Sequence, residues 1–89
     1  MHFETLTSLY QYLDKLVEED VEEDILFSSS YVRSFISLVA SDFSDERCFS
    51  EEFIKAVDGK LYEARAELNP QDRIIVNQYW QILQTWLKA

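Results

Sequence analysis

The sequence predicts an all-α fold, a compact four-helix bundle-like single domain that spans residues 1–89. One observation is the scarcity of turn residues, since the chain has a single Gly and a single Pro and β-rich folds need many more. The other is that apolar residues recur at three- and four-residue steps along four segments. The 47% apolar fraction supplies a core, although a chain this short buries only ~60% of its unfolded surface.

The first predicted helix covers about residues 3–18 and ends in a run of acids. Its apolar stripe consists of Leu6, Leu9, Tyr10, Leu13, Leu16 and Val17. Six acids follow in seven positions, namely Glu18, Glu19, Asp20, Glu22, Glu23 and Asp24. Acids oppose the helix dipole at a C-terminus and favour it in a first turn. We therefore expect the chain to break near Asp20.

The second predicted helix covers about residues 24–43. Its stripe is Ile25, Val32, Phe35, Ile36, Val39 and Phe43, widened by Leu26 and Leu38. Three consecutive serines, Ser28, Ser29 and Ser30, lower the helix propensity, and any of them could be an N-cap. The alternative is therefore a short turn at 24–27 followed by a helix from about 29. Residues 41–50 are predicted to form a loop.

The third predicted helix is capped by Ser50 and continues to Leu68 through Gly59, with Phe53, Val57, Leu61 and Ala64 on its stripe. Asn69 and Pro70 then mark the start of a fourth helix, because Asn is a strong N-cap and Pro fits the first helical position. Its stripe runs to about residue 87 through Ile75, Val76, Tyr79, Ile82, Leu83, Trp86 and Leu87.

Two segments, 26–38 (LFSSSYVRSFISL) and 67–80 (ELNPQDRIIVNQYW), resemble the YfcL family of small bacterial proteins. That family has a similar Leu-Phe, Ser, Tyr, hydrophobic, Arg stretch and a similar Leu-Ser/Asn-Pro-x-Asp stretch that ends in Trp. One departure is Ser34, where the family pattern leads us to expect a Gly that would permit close helix packing. The resemblance implies a bacterial cytosolic protein and adds no substrate, cofactor or reaction.

The charge distribution restricts the partners. The net charge is −9, and residues 1–30 contain eight acids and one base, a net −7. Such a chain repels nucleic acid phosphates and anionic lipid, so we expect no direct nucleic acid binding and no membrane association. The chain lacks an apolar stretch of the ~20 residues that a membrane span needs and a recognisable signal peptide. Because Cys48 is the only cysteine, no intrachain disulfide forms, which favours a cytoplasmic protein.

The sequence offers three candidate contact features. The acidic run Glu18–Asp24 is either a docking patch for a basic partner, a metal site that lacks the Gly of a calcium loop, or a solvated loop. Tyr31 and Arg33 either flank a groove in which Arg33 binds an anion, or Arg33 pairs with Glu22 or Glu23. Trp80 lies at the margin of its stripe, either exposed as a contact residue or buried in the core.

The sequence contains no convincing catalytic constellation. A Ser or Cys nucleophile needs a base within hydrogen-bond reach, and the only histidine is His2. We therefore predict that the protein is not an enzyme and has no cofactor. The favoured function is a non-enzymatic protein-interaction or regulatory module, as a monomer or homodimer with an unknown protein partner, which would be basic if it docks on the acidic run. The alternatives are a small anionic-ligand-binding protein with a pocket near Arg33 and a DNA-mimicking inhibitor.

Overall fold

A computed structural model of the protein describes residues 3–42 and 50–87. Within these ranges the chain forms four α-helices and no strand, which confirms the predicted all-α bundle. They are α1 (Leu6–Glu18), α2 (Glu23–Ala40), α3 (Glu51–Ala64) and α4 (Pro70–Leu87). A short 3-10 turn, Arg65–Glu67, follows α3 directly.

Side-chain caps fix the starts of three helices. The caps of α1, α3 and α4 are Thr5, Ser50 and Asn69, and each side-chain oxygen accepts a hydrogen bond from the amide three residues later, at 2.8 to 3.2 Å. Such a cap satisfies an amide that the helix itself leaves without a partner. The predicted starts at Ser50 and Asn69 are therefore confirmed.

Helix α2 is continuous across its serines, so the alternative of a turn followed by a helix from residue 29 is wrong. Ser28 and Ser29 are buried, and their hydroxyls donate hydrogen bonds within the helix. Ser28 Oγ lies 2.6 Å from the Asp24 carbonyl oxygen, and Ser29 Oγ lies 3.3 Å from that of Leu26. Because these polar atoms are satisfied locally, the serines fit a buried helix without acting as caps.

Helix α2 lies at the centre of the fold, in contact with α1, α3 and α4. Buried side chains from all four helices form one apolar cluster, whose largest fully buried members are Trp80, Phe53, Leu9, Leu13, Ile36, Leu83 and Leu87. Three predicted stripe residues, Val17, Leu38 and Ile82, are instead exposed. The predicted stripe residue Phe43 lies outside the described residues.

The predicted third helix is too long by one turn. The α-helical pattern ends at Ala64, and the 3-10 turn closes with a hydrogen bond from the Leu68 amide to the Arg65 carbonyl at 3.1 Å. Leu61 and Leu68 are consequently half-buried rather than part of the central core. Arg65 and Leu68 at this end of α3 line a cleft against α4.

Candidate functional site

The cleft lies between α3 and α4, with α2 at one side. It has a volume of about 530 Å³ and apolar walls that include Leu61, Leu68 and Val76. This volume lies within the ~300–1,000 Å³ range of small-molecule sites. We call it the arginine cleft, because two of its lining residues are Arg65 and Arg73.

A part-buried hydrogen bond between Trp80 and Asp58 lies at the end of the cleft opposite the arginines. Trp80 is only 1% exposed, and its indole Nε1 donates to the Asp58 carboxylate Oδ1 at 3.1 Å. Trp80 is therefore a core residue with one edge in the cleft wall, and the interpretation of it as an exposed contact residue is wrong. Its bulky ring fits the core because positions 76, 80, 83 and 87 follow a helical stripe rotated from the predicted one.

At the other end of the cleft, the side chains of both arginines donate hydrogen bonds to backbone carbonyl oxygens. Arg73 Nε donates to the carbonyl oxygens of Arg65 and Leu68 at 2.7 and 3.0 Å. The Arg65 guanidinium lies 3.7 Å from the ring centroid of Tyr62 and donates to the Tyr62 carbonyl at 2.6 Å. These contacts use part of each guanidinium fork and leave further N–H groups for an acceptor.

Arg65 and Arg73 also differ from the other basic side chains that the structure describes. Lys15, Arg33, Lys55 and Lys60 each form an ion pair with a carboxylate. No carboxylate among residues 3–42 and 50–87 pairs with Arg65 or Arg73. Neither arginine is among the contact residues predicted from the sequence. Both lack an acid three or four positions away, where a helical ion pair would form, but so does Arg33, which pairs with Asp14, so this pattern alone does not identify them.

Tyr31 borders the cleft from α2. Its hydroxyl oxygen is buried and has no hydrogen-bond partner among the described residues. Burial raises the pKa of Tyr31, and the nearby Glu67 carboxylate raises it further. The hydroxyl is therefore a neutral donor at physiological pH.

Tyr31 also borders a second, open and shallow surface on α2, next to the acidic run. We call this the Phe27 surface, and it consists of Glu23, Leu26, Phe27, Ser30 and Tyr31. The rings of Phe27, Tyr31 and Phe35 form a row along the helix, with tilted contacts at centroid separations of 5.8 and 5.1 Å. The acids Glu18, Glu19, Asp20, Glu22, Glu23 and Asp24 are all exposed at this end of the fold.

Arg33 lies on a different side of α2 from Tyr31 and lines neither surface. Its Nε is 3.0 Å from Asp14 Oδ1 without the alignment of a hydrogen bond, and its guanidinium lies 4.6 Å from the Tyr10 ring centroid. Neither surface is the pocket predicted near Arg33, and the alternative in which Arg33 pairs with Glu22 or Glu23 is wrong, because Arg33 pairs with Asp14. The partner is an acid on α1, which sequence proximity does not indicate.

Ser34, the departure from the expected Gly, does not obstruct packing. It is exposed, and its hydroxyl donates to the Tyr31 carbonyl at 2.7 Å. No neighbouring helix needs a close approach at this position, so the substitution is compatible with the fold.

Within the described ranges, no group of three or more His, Cys, Asp or Glu side chains is arranged to hold a metal ion. Among the helices in the same ranges, none combines the length and apolarity required to traverse a bilayer.

The fold and the two surfaces define a small all-α domain with an apolar cleft. A family model described as "YfcL protein" matches residues 2–85. The chain therefore belongs to the YfcL family, as its two segments indicated. Searches of curated proteins and of solved structures found no match.

Proposed function

We propose that this protein is a non-enzymatic, cytoplasmic protein-interaction module that binds its partner through the Phe27 surface. The observation that carries the proposal is the exposure of Phe27, which is 39% exposed although it is a large apolar side chain on a well-packed helix. Exposed aromatic side chains set among polar neighbours are typical of protein contact sites.

The packing of Phe27 supports a contact role. Its ring rests on Tyr31, which rests on Phe35, and both of these pack against the central core. A ring held in this way loses little conformational freedom when a partner covers it, which lowers the entropic cost of binding. Phe27 is therefore a suitable anchor residue for an interface.

The surrounding charge indicates the chemistry of the partner. Glu23 borders the Phe27 surface, and the other acids of the run, which are also exposed, lie close to Glu23 in the sequence. Only Glu19 in this run forms an ion pair with a described residue, with Lys15. A partner segment that carries basic residues beside an apolar one would match both features, and its association would weaken as salt screens the charges.

A site-specific cross-link tests this proposal. A photoreactive phenylalanine analogue at position 27 should cross-link a partner in an extract of a bacterium that encodes a family member. The matched control carries the analogue in place of Ile82, which is 52% exposed and lies outside the Phe27 surface. The cross-linked protein should also lose binding to a Phe27→Ala variant in a purified assay and keep binding to Ile82→Ala.

Equal cross-linking from both positions, or unchanged binding of the purified protein to Phe27→Ala, would contradict the proposal. Sedimentation of the purified protein distinguishes a second copy as the occupant. We expect no self-association through this surface, because it would place two acidic runs against each other.

A further inference from the structure

We propose that the arginine cleft is a binding site for a small amphiphilic anion, a molecule with a carboxylate or phosphate at one end of an apolar body. This inference is independent of the proposed protein interaction, since it depends on neither Phe27 nor the acidic run. It differs from the anion pocket expected near Arg33 in both its location and its residues.

The first argument is electrostatic. In a chain of net charge −9, the two arginines that lack a carboxylate partner among the described residues both line the same cleft. Arg73 Nε donates to the backbone carbonyl oxygen of Arg65 at 2.7 Å, so the Arg73 side chain lies against the turn that carries Arg65. Guanidinium groups bind carboxylate and phosphate through paired hydrogen bonds, so the remaining N–H groups of the two arginines are donors for an anion at this end.

The second argument is the arrangement of the remaining walls. Asp58 and Arg65 are separated by seven positions on α3 and its 3-10 turn, as are Trp80 and Arg73 on α4. At 1.5 Å per helical residue, the arginine end and the Asp58 end are about 10 Å apart. Apolar side chains, including Leu61 and Leu68, line the cleft. The Asp58 carboxylate repels an anion, so the ligand is oriented with its charged group towards the arginines.

The third argument is the hydroxyl of Tyr31. Tyr31 borders the cleft, and its buried hydroxyl oxygen has no hydrogen-bond partner among the described residues. A buried donor without a partner is costly, and a ligand acceptor would relieve that cost. Tyr31 is also the one residue that borders both the cleft and the Phe27 surface.

Amide and indole NMR spectra of the full chain test the site with three matched probes, octanoate, octyl phosphate and the neutral octanol. We expect both anions to shift the indole N–H signal of Trp80, which lies in the cleft wall, in a saturable manner. The Trp86 indole is the internal control, since it packs against Phe3 and Tyr12 away from the cleft. Octanol should bind about tenfold more weakly or worse, because it lacks the charge-assisted hydrogen bonds. The stronger of the two anions identifies whether the natural ligand is a carboxylate or a phosphate.

Three variants test whether charged side chains of the cleft determine its affinity for anions. Arg65→Gln should weaken both anions about tenfold and leave octanol unchanged. Asp58→Asn keeps the oxygen that accepts the Trp80 hydrogen bond and removes the repulsive charge, so it should strengthen anion binding. Arg33→Gln makes the same chemical change outside the cleft and should have no effect. A general loss of folding cannot weaken anion binding in Arg65→Gln and also strengthen it in Asp58→Asn.

Equal binding of octanol and octanoate would overturn the proposal, as would anion shifts that Arg65→Gln leaves unchanged or that centre on Trp86. A fourth probe, an end-blocked peptide of alternating leucine and glutamate, tests a protein segment as the occupant. Tighter binding of this peptide than of both small anions, with loss on Arg65→Gln, would also overturn it.

Discussion

The indole Nε1 of Trp80 donates a hydrogen bond to Oδ1 of Asp58 at 3.1 Å and thereby joins α4 to α3. Trp80 is one of the largest fully buried side chains, whereas Asp58 is an exposed residue. A buried indole N–H needs an acceptor, and Asp58 supplies it from the cleft side. The bond therefore couples the stability of the core to the wall of the cleft.

Asp58→Ala should destabilise the fold by about 1–3 kcal/mol, because the buried indole N–H loses its acceptor. Asp58→Asn should cost much less, since its amide oxygen can take the same place. Urea unfolding followed by tryptophan fluorescence measures both free energies of unfolding. Equal losses in the two variants would mean that the carboxylate charge, rather than the hydrogen bond, stabilises this contact.

Most of the helical architecture is predictable from local patterns. The acids around Asp20 indicated the first break, and Ser50 and Asn69 indicated two helix starts, because a capping side chain acts on its own neighbouring amides. These effects involve residues close in sequence, so they leave a trace that a single chain reveals.

The cleft and the ion pair between Arg33 and Asp14 depend on contacts between helices, so local sequence patterns do not predict them. Arg33 pairs with Asp14 on another helix, and the Arg73 side chain reaches the Arg65 carbonyl in the 3-10 turn that follows α3. The predicted apolar stripe of α4 leaves Trp80 at its margin, whereas the structure buries Trp80. The difference is a rotation of α4 about its own axis by a fraction of a turn. Tertiary packing decides that rotation, and a stripe of apolar residues alone does not.

Gly59→Ala should stabilise the protein by about 0.5–1 kcal/mol, since Gly in a helix interior is less favourable than Ala by that amount. Gly59 lies inside α3 without a positive φ, is exposed, and a Cβ there would meet no atom within 4 Å. Thermal unfolding provides the measurement, with Gly59→Pro as the opposite control, because Pro breaks a helix interior. A lower Tm for Gly59→Ala would show that the glycine has a role beyond local geometry.

The hydroxyl of Tyr79 should make the fold sensitive to alkali. Burial, and to a lesser degree the nearby Tyr12, raises the pKa of Tyr79 from 10.0 to about 12. The unfolded chain therefore releases this proton at lower pH than the folded protein does, so stability is complete below pH 10 and falls as the pH rises from 10 towards 12. Tyr79→Phe should remove that part of the alkaline decline in the free energy of unfolding.

The same variant should cost little at neutral pH. The Tyr79 hydroxyl is buried without a hydrogen-bond partner among the described residues, so Phe removes a group whose desolvation is uncompensated. Tyr62→Phe, which changes an exposed ring on α3, serves as the matched control and should leave the alkaline decline intact. An unchanged pH profile in Tyr79→Phe would assign the decline to other groups.

Added salt should stabilise the protein. The six acids between Glu18 and Asp24 are exposed and close together, and only Glu19 has a described cationic partner, at 4.0 Å. Their mutual repulsion disfavours the folded state, and a Debye length that shrinks from about 20 to about 6 Å between roughly 20 and 300 mM NaCl removes most of it. Tm should therefore rise over this range. A double variant, Glu22→Gln with Glu23→Gln, should show a higher Tm at low salt and a smaller rise.

The pairing of Asp14 with Arg33 acts in the opposite sense, because salt screening weakens this attraction. A fall in Tm with added salt would therefore mean that attractive pairs of this kind outweigh the repulsion within the acidic run.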